Sequence, residues 1–139
     1  MQKLSFSLLA LLSLVSFSAQ ADVTTATQAA SDYGRFAKAL NPKSTLSAEA
    51  GRAFYTKKVV VGNKDISCAA CHTDNPANSG KHNESGNPIK PMAPSVNPQR
   101  FSSVNKSAAA FSKHCRDLYG KDCSAQDKGD FITYLLTIK

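Results

Sequence analysis

The chain lacks what several common functions require. Its four cysteines include only one closely spaced pair. A zinc site needs a second such pair, and Cys115 and Cys123 are too widely spaced to supply it. No βαβ alternation surrounds the close pair, which removes a thioredoxin-like dithiol. The lysines are scattered (Lys57, Lys64, Lys81, Lys90, Lys106, Lys121), with no dense run and no nucleic-acid motif. The formal net charge of +7 therefore does not point to nucleic acid. Beyond the N-terminus no apolar run approaches the roughly 20 residues of a membrane span, so no transmembrane segment is expected in the mature chain. No segment repeats.

The N-terminus carries the pattern of a secretory leader. Lys3 is a short basic region, Leu4 to Phe17 is apolar apart from small serines, and Ala19-Gln20-Ala21 is an A-x-A cleavage site. The apolar run is too short for an anchor, and nothing basic follows it to stop transfer. Residues 1–21 are read as a cleaved signal peptide and residues 22–139 as one small domain exported to the periplasm. Loss of Lys3, with no acidic residue in the leader, takes the formal charge from +7 to +6. That charge suits a redox partner with an acidic face, steered by long-range attraction; ordinary solubility explains it equally well.

The motif that the absences leave standing is Cys68-Ala69-Ala70-Cys71-His72. C-x-x-C-H is the attachment pattern of a c-type haem. Two thiols add across the haem vinyl groups as thioethers, and the two intervening residues give them the reach. The adjacent His72 then sits under the iron as proximal ligand. One covalently bound haem c is the expected cofactor. Export agrees with it, because c-type haem is attached on the far side of the bacterial inner membrane.

Four helices are predicted around this motif. The first spans Ala29 to Leu40, with Tyr33, Phe36, Ala37 and Leu40 at helical spacing and Asn41-Pro42 as its stop. The second starts at Ser47 as N-cap and runs to about Lys57, with Gly51, Phe54 and Tyr55 on its face. Val59 to Val61 reads as a short extended piece. Residues 73 to 104 hold five of the six prolines and read as a long haem-covering loop without regular structure. The third helix spans Val104 to Leu118, with Gly120 past its end. Ala108, Phe111, Cys115 and Leu118 share one face of it, and His114 lies on that face too. The last begins at Ser124, paired with Asp127 as a capping box, and its stripe is Phe131, Tyr134, Leu135 and Ile138. The fold class is all-α, in the small class I cytochrome c arrangement.

The occupant of the sixth iron position separates electron transfer from ligand binding. His114 is the leading candidate: it follows His72 by 42 residues, precedes the last helix, and sits on a rigid element. Met92, in Pro91-Met92-Ala93-Pro94, is the runner-up, with packing against the porphyrin rim as its other reading. His82 lies among polar residues and reads as exposed. Arg100 reads either as a partner for a haem propionate or as a solvated charge. Lys81 and Lys90 are the better docking candidates, being in the haem-covering loop. With two cysteines left after haem attachment, an exported chain is expected to pair them. Closing the short loop from Cys115 to Cys123 would stabilise by roughly 2 to 3 kcal/mol.

From about Gly51 to Leu136 the chain resembles the sphaeroides haem protein (SHP) family of small class I cytochromes c. The stretches that carry the resemblance are Ser67 to His72, Pro91 to Ser95, Asn97-Pro98-Gln99-Arg100-Phe101, His114-Cys115, Gly120 to Cys123, and Ala125 to Asp130. The resemblance implies a Cys115–Cys123 disulfide and a distal ligand at the residue before its first cysteine. In the founding type that residue is Asn, a weak ligand that leaves on reduction and admits oxygen. Here it is His114, and imidazole binds iron far better than an amide does. Met92 stands where an aliphatic residue is usual, which favours packing.

Two functions follow as expectations. One is a mono-haem electron carrier with His/His ligation, exchanging electrons with another periplasmic or membrane cytochrome. The other is a haem protein that binds oxygen or nitric oxide once His114 leaves the reduced iron. One haem motif and no identifiable catalytic distal pair argue against an enzyme. Mass spectrometry of the exported protein is expected to find one haem on a chain beginning at Asp22; a chain retaining Met1 contradicts the leader.

Overall fold

A computed structural model describes residues 25–139; the leader assigned to residues 1–21 lies outside them. Helix α1 (Ala26–Leu40) begins three residues earlier than the periodicity suggests. The reason is Thr25, whose hydroxyl accepts from the Gln28 amide at 3.1 Å and caps the helix there. Its buried stripe is also rotated. Ala26, Ala29, Ala30 and Ala37 face inward, while Phe36 and Leu40, expected inside, are 65% and 84% exposed. Small alanines let α1 lie close to its neighbour, and the bulkier residues turn outward.

Helix α2 (Ala48–Thr56) starts at Ser47, whose hydroxyl accepts from the Ala50 amide. The extended piece after it becomes a hairpin, β1 (Val59–Val61) paired with β2 (Lys64–Ile66). Gly62, at φ +62°, opens its two-residue loop, as hairpin geometry requires. The haem motif forms a short helix of its own, α3 (Cys68–His72). The Pro-rich stretch is mostly irregular, but it contains one small ladder, β3 (Gly80–Lys81) with β4 (Pro88–Ile89). Helix α4 (Val104–Tyr119) is capped by Ser103 at one end and by left-handed Gly120 at the other. Helix α5 (Ala125–Thr137) carries the Ser124–Asp127 capping box.

The core lies where α1 and α2 pack on α5. Tyr55, Ile132 and Leu135 have no exposed surface. Aromatic edges fill the centre: Phe131 lies 6.0 Å from Tyr55 and 5.5 Å from Phe111 between ring centroids. The buried carboxylate of Asp130 accepts from the Ser47 amide at 2.7 Å and from Gln126 Nε2 at 2.8 Å, tying α5 to the start of α2. At Gly51 the two helices touch backbone to backbone. A Cβ there would stand 1.9 Å from the Asp130 carbonyl oxygen and 2.8 Å from the Tyr134 Cβ. Among the described residues no helix is long and apolar enough to cross a membrane.

Alanine has the better helix propensity by about 1 kcal/mol, yet the clash at this crossing outweighs it. Gly51→Ala is expected to cost about 3 kcal/mol, the upper end of overpacking, measured as a lower midpoint of chemical unfolding of the haem protein. A variant as stable as wild type would show that the crossing is looser than described.

Candidate haem site

Helix α3 presents two free thiols, Cys68 and Cys71, one turn apart, with His72 directly after. Burial, above all, pushes the Cys68 thiol up to about 11. The turn is held from three sides. Below it, Tyr55 of α2 points its hydroxyl at the backbone, 2.6 Å from the Thr73 carbonyl oxygen and 3.0 Å from that of His72. Beside it runs the strap of residues 73 to 80, so close that a Cβ on Gly80 would stand 2.0 Å from the Cys71 carbonyl oxygen. At its exit, Thr73 adopts φ 65° and ψ 163°. That region is nearly confined to glycine and costs other residues about 1–3 kcal/mol. The Thr73 hydroxyl donates to the Asn75 carbonyl at 2.7 Å, adding a local hold.

His72 fits a metal ligand by its chemistry. Burial first, then the charges of Arg100 and His114, lowers its pKa to about 4, so its imidazole is neutral. Its Nδ1 is buried and lacks a hydrogen-bond partner. Two free thiols and a neutral imidazole short of one partner are the donor set that haem c uses.

Arg100 and His114 stand near enough to His72 for their charges to act on it. His114 is exposed by area, yet the surrounding chain desolvates its ring enough to lower its pKa, with Lys113, Arg100 and His82 acting in the same direction and Asp117 opposing. On α4 it sits beside the buried Phe111 and Cys115; Ala108, expected on their face, is exposed. Met92 is buried in the core, and its thioether sulfur is contacted by the Arg100 guanidinium. Arg100 is half-buried, and among the described residues no carboxylate pairs with it. His82 is exposed, and its Nδ1 accepts from the Ser85 amide within the β3–β4 turn. Lys81 and Lys90 are exposed at that hairpin.

Cys115 and Cys123 are joined by a disulfide that links the end of α4 to the residue before the Ser124 cap. The intervening loop has a second fastening: Asp122 accepts from Ser112 at 2.7 Å and from Arg116 at 2.8 Å. Sequence reasoning missed Tyr55 and Thr73 as parts of this site. Tyr55 is visible in the sequence only as one more aromatic on α2, and nothing local marks Thr73 as strained.

Comparison with known proteins places the site in a class. Cytochrome c'' of Methylophilus methylotrophus is 43% identical over 126 residues, covering 89% of this chain and 88% of that one. Its oxidised crystal structure matches with a TM-score of 0.77 at 40% identity, over 82% of this chain and 94% of that one. A solution structure of cytochrome c'', concerned with haem-ligand detachment, gives 0.71 at 41% identity, over 81% and 92%. SHP of Cereibacter sphaeroides is 32% identical over 89 residues, covering 63% of this chain and 68% of that one. The structure of oxidised SHP, an oxygen-binding cytochrome c, matches with a TM-score of 0.71 at 28% identity, over 81% and 96%. These neighbours define a small mono-haem c-type cytochrome of mostly α-helical fold, with covalently bound haem c. The chain belongs to the family described as a domain of unknown function, DUF1924, whose model matches residues 41–135, and it is homologous to cytochrome c'' and SHP.

Removing the disulfide by Cys115→Ser with Cys123→Ser is expected to lower stability by about 2.5 kcal/mol, the chain-entropy value for so short a loop. Exposed pairs such as Arg116–Asp122 contribute little, so they do not replace it. Chemical unfolding with and without the substitutions measures the difference; equal midpoints contradict it.

Proposed function

We propose that this chain is a periplasmic mono-haem electron carrier, exported by the leader at residues 1–21, with His/His axial ligation. Cys68 and Cys71 form the thioethers, His72 is the proximal ligand and His114 the distal one. Bound there, haem c supplies a one-electron couple. The ligand choice is supported by the place of His114 on α4, beside the buried Phe111 and Cys115, and by its charge and that of Arg100 both reaching His72. Met92, the runner-up, is already engaged by Arg100 and buried in the core, which supports a packing role. Two imidazoles give a lower potential than a His/Met pair. Exposed Lys81 and Lys90 beside the α3 turn suit docking of an acidic redox partner, another periplasmic or membrane cytochrome.

A second reading is supported by the relatives. One relative has a structure concerned with haem-ligand detachment, and another is described as oxygen-binding. In this reading His114 leaves on reduction and the protein binds oxygen or nitric oxide.

Spectra of both oxidation states decide between them. His114→Ala is expected to lose the ferric low-spin form, and Met92→Ala to keep it; the reverse pattern assigns the ligand to Met92. A ferrous wild type that stays low-spin and resists carbon monoxide supports the carrier. A high-spin ferrous state that takes up carbon monoxide rapidly replaces it with the ligand-binding reading.

A further inference from the structure

Tyr55 is the one residue without exposed surface whose polar atom is spent on the haem turn. Its ring is locked by Phe131 at 6.0 Å and Tyr134 at 5.6 Å, so the hydroxyl has a fixed direction. Burial raises its pKa, and the phenol stays a donor throughout the physiological range. It has one proton and two acceptors, the carbonyl oxygens of His72 and Thr73. These two carbonyls flank the Cα of Thr73: the first belongs to the peptide unit that leaves the proximal ligand, the second to the unit after it. The second belongs to Thr73, which is held where a β-branched residue is strained. Relaxation of Thr73 would rotate that peptide and carry the Cα of His72 with it. The strap beyond leads on to the other side of the site: the Pro76 carbonyl accepts from the amides of Met92 and Ala93 at 2.9 and 3.0 Å.

We propose that Tyr55 is the positioning residue of the proximal haem ligand: its hydroxyl holds the His72–Thr73 peptide in a strained conformation and so sets the angle at which the His72 imidazole meets the iron. This rests on the ligation proposed above and deepens it. A proximal ligand held in this way from the core side leaves the distal side, on α4, as the one free to yield.

The test compares haem-loaded variants in the His114→Ala background, where the stretch between ferrous iron and His72 is read by resonance Raman. Adding Tyr55→Phe is expected to lower and broaden that stretch and to shift the midpoint potential, with helix content unchanged. A less stable protein with the same stretch and the same potential overturns the proposal, since a packing role alone predicts that result. If Tyr55→Phe does not fold, the comparison is made with Thr73→Gly present throughout, a glycine that removes the cost of this conformation without fixing it. The peptide is then free to turn once the hydroxyl is gone, so a broadened stretch supports the proposal and an unchanged one overturns it. Failure of the ligation reading looks different: His114→Ala then remains six-coordinate and low-spin before Tyr55 is touched. In that case the potential and ferric electron paramagnetic resonance of Tyr55→Phe in the otherwise unaltered protein carry the comparison, with altered values supporting the proposal and identical values overturning it.

Discussion

The contact between α2 and α5 at Gly51 governs the rest of the molecule. With no side chain between them, the two backbones meet at the Asp130 carbonyl, and everything beyond is placed by that approach. One turn along α2 it seats Tyr55 against Phe131 and Tyr134 with its hydroxyl under the α3 turn. On the other side Asp130 reaches back to the Ser47 amide, so the start of α2 is fixed by the helix it crosses. A larger residue at 51 would part the helices and withdraw the hydroxyl from the turn. The packing constraint is therefore also a constraint on the haem.

On the ligation proposed above, the two sides of the site are built differently. The proximal side is a closed unit of α2, α3 and the following strap, in which side-chain and backbone hydrogen bonds converge on a few peptide groups. The distal side depends on α4, which joins the core through Phe111 and Cys115 and is fastened at its end by the disulfide and Asp122. His114 stands next to that fastening, adjacent to Cys115. With that ligation, a strong ligand on a lightly anchored helix, opposite one on a rigid turn, would give the iron two imidazoles of unequal freedom. That inequality is compatible with a carrier and with a ligand-binding protein, and the relatives include a protein described as oxygen-binding.

Much of this was readable in the chain. The C-x-x-C-H motif, the Ser47 and Ser124 caps and the Gly120 stop rest on local chemistry, and local chemistry is written in adjacent residues. The hairpin after α2 was only half read, as an extended piece at Val59–Val61, although Gly62-Asn63 before Lys64–Ile66 is a two-residue loop signal. The rotated stripe of α1 was not. Alanines carry a weak hydrophobic signal beside Phe36 and Leu40, and closeness of approach to α5 decided which face went in. Tyr55 and Thr73 were hidden for a deeper reason. Their roles arise from a hydroxyl meeting a carbonyl 18 positions away, which only the finished packing brings about.

The half-buried position of Cys68 bears on how the molecule is made. In the folded chain this sulfur is partly screened from water, and the burial raises its pKa in favour of the neutral thiol, the less nucleophilic form. Both conditions slow its addition to a vinyl group. The native packing thus favours attachment while the chain is still open, with the fold shutting around a bond already formed.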